Sequence, residues 1–99
     1  MTDVNTTLNS RQATHGDFQD NGIVMQNLKE VMRAFGTNWK KDKLTCYQRE
    51  ALEMIQHKIG RILSGNPNEP DHWHDIAGYA TLVENILRTG NSHVANQSA

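Results

Sequence analysis

Apolar residues return every three or four positions along three stretches of the chain, and no segment sustains the two-residue alternation of a strand. Val24, Leu28, Val31, Met32 and Phe35 predict a helix over about 17–35. Asp17 stands at its start as an N-cap behind Gly16, Gly22 weakens its first turns, and Gly36 is placed to end it. Tyr47, Ala51, Met54, Ile55, Ile59, Ile62 and Leu63 predict a second helix over 46–63. Thr45 and Gln48 have capping-box spacing, and "SGNPNEP" after Leu63 is a strong stop. Ile76, Tyr79, Leu82, Val83, Ile86 and Leu87 predict a third helix over 71–88, with Asp71 as N-cap and Gly90 as terminator. A short helical turn over 4–14 has little periodicity behind it.

These elements make an all-α chain: one helical domain over 11–88 between flexible tails at 1–10 and 89–99. Helix 46–63 carries an apolar arc broad enough for two neighbours. Three helices of this length bury little, so a small bundle completed by dimerisation is expected. Ala77, Gly78 and Ala80 would let another helix approach the third one closely, and Trp39, in the loop "GTNWKKDKL", would cap one end of the core.

Composition narrows the function classes. The net charge of −1 gives no global electrostatic reason for nucleic-acid or membrane binding. No apolar run is long enough to span a bilayer, and the first ten residues lack the features of a secretory leader. The single cysteine, Cys46, excludes an intrachain disulfide and fits a reducing compartment, so a cytoplasmic location is expected.

Charged residues interrupt two of the apolar faces. At helical spacing Lys58 falls between Met54 and Ile62, and Asp75 falls in line with Ile76, Tyr79 and Leu82. A buried charge without a partner is costly. The short connector favours antiparallel packing, so Lys58 and Arg61 should face Asp71 and Asp75. One reading is a structural Lys58–Asp75 ion pair that fixes helix docking. The other is a polar pocket in which Glu50, Glu53, Asp71 and Asp75 hold Mg²⁺ while Lys58 and Arg61 neutralise phosphate. In an enzyme, an acid among Glu50, Glu53 and Asp75 would orient the attacking water. Arg11 and His15, ahead of the Gly16 turn, could fold over the pocket and face phosphate; ordinary helix-start chemistry explains them equally well. His57, His72 and His74 lack the spacing of a zinc site, and no oriented histidine can be assigned to Cys46 as a nucleophile.

Together Arg11 with His15-Gly16-Asp17, Lys58-x-x-Arg61, and Asp71-x-x-x-Asp75-Ile76-x-Gly78-Tyr79 resemble the pattern of a family of small uncharacterised proteins of tailed phages and prophages. More distantly, Glu50-x-x-Glu53 and the Asp71/Asp75 pair are similar to the paired acids of MazG-like nucleoside triphosphate pyrophosphohydrolases. The second pair departs from that pattern in spacing and in side-chain length. The resemblance implies a phage accessory protein, homo-oligomeric, with a nucleotide-phosphate and Mg²⁺ pocket, and leaves turnover open. The alternative is a non-enzymatic phage protein that inhibits a host defence or repair protein or sequesters a nucleotide signal. Trp39, the lysine loop or the outer face of the third helix would then make the contact.

Overall fold

A computed structural model of the chain describes residues 3–90. It is helical, with no strand among those residues: α1 Val4–His15, α2 Phe18–Phe35, the single turn α3 Thr37–Lys40, α4 Cys46–Ser64 and α5 Pro70–Thr89. The three periodic stretches become α2, α4 and α5, and two helices stand beyond them. One is α3, within the loop after Gly36. The other is α1, which occupies most of the region assigned to the N-terminal tail; of the C-terminal tail, residues 91–99 lie outside the described range.

Local chemistry sets the ends. Asp17 caps α2 by accepting from Asp20 N at 3.2 Å. Thr45 and Gln48 cap α4 reciprocally, at 3.2 and 2.9 Å. Gly90 closes α5 in the left-handed region, at φ 73°. The start of α5 differs from expectation. Glu69 is the N-cap and Pro70 opens the helix, where a ring that lacks N–H costs no bond. Asp71 therefore lies inside the first turn, and the second proline of "SGNPNEP" starts a helix rather than stopping one.

The middle helix is α4. α5 packs along one side of it and α2 along the other, and these two hardly touch each other. Both run antiparallel to α4: Met25 meets Gln56 while Arg33 meets Glu53, and Lys58 meets Asp75. Close approach is granted at Gly60, where an added Cβ would lie 2.5 Å from Sδ and Cε of Met25. It is not granted at Gly78, which has nothing within 4 Å; the small-residue flank of α5 faces open space. Trp39 is half-buried under the Arg49 guanidinium, 5.8 Å from its ring centre, and covers the far end of the α2–α4 pair.

Packing is thin. Among the described apolar residues only Met25 and Ala51 are buried, joined by Gln56, Gly60 and His72. The dimer expected from the apolar arc is not part of this single chain. No helix of the described residues is long and apolar enough to cross a membrane.

Candidate functional site

Sequence places Gly16 and Gly65 far apart; the fold sets their backbones against each other. A Cβ on Gly65 would lie 2.5 Å from Thr14 O, and one on Gly16 would run into Ser64 O. Gly16 also has φ 91°, where a side chain is strained. Two glycines thus let the end of α1 lie against the end of α4. The carbonyl of Thr14 takes two donors there, Asn66 N at 3.1 Å and His72 Nε2 at 3.0 Å. A carbonyl can only accept, so Nε2 of His72 carries the proton. Asn21 Nδ2 donates to His15 O at 2.6 Å and ties the same corner to α2.

His15 is held edge-on to His72, with ring centres 5.5 Å apart. Its Nδ1–H donates to Arg11 O at 3.2 Å, which leaves Nε2 unprotonated. Burial, then the charge of Arg61, hold its pKa below 6.5, with His72 and Lys58 adding to the effect against the Arg11 bond. His57 is depressed in the same way, by burial and then by Lys29, Arg61 and Lys58, with Glu53 opposing. Two imidazoles thus have their proton affinity lowered first by burial and then by cations, Arg61 and Lys58, that act on both.

These groups line one concavity of about 1060 Å³ between α1, α2 and α4. Arg11, His15, Lys29, His57 and Arg61 supply its basic lining, Phe18 stands at its edge, and Asp17 is its one acid. Among the described residues Arg11, Lys29 and Arg61 make no ion pair. Of the four residues expected to hold phosphate, three, Arg11, His15 and Arg61, come together here. The fourth does not: Lys58 turns to the other side of α4 and pairs with Asp75 at 2.8 Å. Arg61 in turn does not meet Asp71 or Asp75, because it points across α4 toward α1. Sequence reasoning missed Lys29 and set His57 aside. Lys29 carried no signal of the kind that exposed Lys58, since at about 100° per residue it falls beyond Met25, outside the arc of Val24, Leu28, Val31, Met32 and Phe35.

The acids do not converge. Glu53 is taken by Arg33 at 2.7 Å, Asp75 by Lys58, and Glu50 and Asp71 are exposed. The antiparallel hairpin accounts for this. Asp75 is level with Lys58, so Glu50, eight residues earlier on α4, lies about 12 Å along the axis, and Asp71 lies about 6 Å the other way. Among the described residues no three His, Cys, Asp or Glu side chains are placed to share a metal ion. These donors therefore do not fit a joint Mg²⁺ site.

The Lys58–Asp75 pair is partly covered. The Lys58 side chain is 12% exposed and that of Asp75 is 42%. The Lys58 hydrogen bond, then its charge, hold the Asp75 carboxyl below 3.8 against some desolvation, with His74 and His72 assisting. The anomaly in the apolar face of α5 thus resolves as an ion pair at the rim, while the buried polar group of that helix is His72.

No curated protein and no solved structure matches the chain. The one family finding carries no phage origin and no likeness to pyrophosphohydrolases. Residues 1–87 match the model of a domain of unknown function, DUF6378, and the chain belongs to that family.

Proposed function

We propose that the groove between α1, α2 and α4 binds a phosphorylated small molecule of nucleotide size. The observation that carries this is the convergence of Arg11, Lys29 and Arg61, all without acidic partners among the described residues, with His15 and His57. Three cations that face a single acid, Asp17, repel one another, and an anion relieves that repulsion. Arginines offer forked donors to phosphate oxygens, and lysine adds a point charge. The concavity is at the upper end of the size of small-molecule sites, and the exposed ring of Phe18 offers a face for a base or sugar.

The reading is one of binding. Glu50, Glu53, Asp71 and Asp75 are assigned no catalytic step, and any Mg²⁺ would arrive on the ligand's phosphates. A protein-inhibitor role through Trp39 has less support, since Arg49 covers that ring.

Calorimetry with nucleoside mono- and triphosphates, with and without Mg²⁺, tests the proposal. Binding that does not require Mg²⁺ and is weakened about tenfold by Arg61→Ala, equivalent to about 1.4 kcal/mol, is expected. The absence of heat and of chemical-shift change in His15 and His57 at millimolar nucleotide would sink it.

A further inference from the structure

The three long helices α2, α4 and α5 form one layer with α4 in the middle, and the two faces of that layer differ. One face carries Glu50, His57 and Arg61 of α4 together with Lys29 of α2; α1 lies over it. The opposite face follows from helical phase. Val31 and Phe35 come to it from α2, Ile59 and Leu63 from α4, and Trp73 and Leu87 from α5. All six side chains are exposed.

No described element covers this second face. Phe35 is 76% exposed, Leu63 64%, Leu87 62% and Trp73 55%. At about 150–250 Å² for an aromatic side chain, Phe35 and Trp73 alone leave roughly 250 Å² of ring surface in water. With the four aliphatic side chains on the same face, the uncovered surface falls in the range of about 300–600 Å² at which a monomer's largest apolar patch is often an interaction site, a substantial part of the about 800 Å² that each partner contributes to a stable interface.

We infer that this face is the seat of a second copy of the chain, joined about a twofold axis with the α4 ridge of one copy on that of the other. Two features single out a second copy among possible occupants. The first is need. A layer of helices requires another layer to make a core, and here only Met25 and Ala51 are buried among the described apolar residues. A cover needed for folding must be present whenever the chain folds, which a copy of itself satisfies. The second is charge. In a twofold interface the side chains on the axis meet their own counterparts, so charges at its centre repel. This strip has none between its apolar residues; the nearest pair, Glu84 with Arg88 at 3.0 Å, borders it and is internally neutral. The inference is independent of the ligand groove, which opens on the other face and stays accessible in both copies.

Sedimentation of the full chain at tens of micromolar is the first test. A mass of twice 11.2 kDa is expected, with helicity that falls on dilution. Leu63→Glu should abolish the dimer and Thr81→Glu, at the outer edge of α5, should leave it intact. Because Leu63→Glu also puts a charge on the helix layer itself, cysteine pairing gives a second measure that does not depend on it. In a Cys46→Ser background Ile59→Cys should crosslink two chains under mild oxidation and Thr81→Cys should not. A wild-type chain that sediments at 11.2 kDa with full helicity overturns the proposal, and so does crosslinking of Thr81→Cys as fast as Ile59→Cys.

Discussion

At the residue scale the Lys58–Asp75 pair shows how burial divides the cost of a broken ion pair. Lys58 is largely covered and Asp75 is half in water. Removing the acid strands a covered ammonium; removing the base leaves a carboxylate that water still reaches. Asp75→Asn should therefore lower the thermal midpoint more than Lys58→Met, and the double variant should recover most of the loss. Equal losses that simply add would show that the pair is not coupled. The pH dependence follows from the depressed carboxyl. Its contribution is full above 3.8, the ordinary value, and is lost as pH falls through the lower folded value. The double variant should lack that acid-side loss. This pair was legible in the sequence, because two charges out of phase with their helix faces and a short connector leave little choice. His72 was harder. Its place on the apolar face was visible, but its partner, the Thr14 carbonyl, is 58 residues away and has no side-chain signature.

At the scale of elements, periodicity and caps gave α2, α4 and α5 to within a residue or two, since those signals are local. α1 was not legible as a full helix because nothing in its own pattern demands one. Val4 and Leu8 are its only large apolar residues, and both are exposed. Its far end is fixed instead by the Gly16–Gly65 contact. The four acids stay apart for a different reason. Antiparallel packing sets the two acid pairs at different heights, which the connector length already implied. Gly60 also escaped notice. Alanine there gains helix propensity, and the flexible tail of Met25 can give way, so Gly60→Ala should be nearly neutral. Gly60→Leu has no such room and should cost about 1–3 kcal/mol, measured by urea denaturation. A neutral leucine would mean that α2 and α4 are not held at this distance.

At the scale of the whole molecule, the layer separates two kinds of chemistry by face, basic on one side and apolar on the other. The basic side makes stability and anion affinity depend on pH in opposite directions. His15 and His57 bind protons less readily in the folded chain than the 6.5 of the unfolded one. Their stability contribution is complete well above 6.5 and declines as pH falls below it, because the unfolded chain takes up protons first. A bound anion favours the protonated rings, so affinity should rise as the pH is lowered. Sulfate is the suitable probe, since its own charge does not change near neutrality. Its dissociation constant should fall severalfold between about pH 7.5 and 5.5, and the dependence should weaken in a His15→Gln, His57→Gln variant. A flat profile for the wild type would remove the histidines from the anion site.

The double acceptor at Thr14 has a consequence for the order in which the molecule opens. It secures α1 near one end only, through Asn66 and His72, while α4 holds α2 and α5 along their lengths. Amide protons of α1 should then exchange with deuterium through a partial opening, at rates insensitive to small doses of denaturant that accelerate exchange in α4. Because α1 is one wall of the groove, that opening also gives a ligand a way in and out without melting the layer beneath.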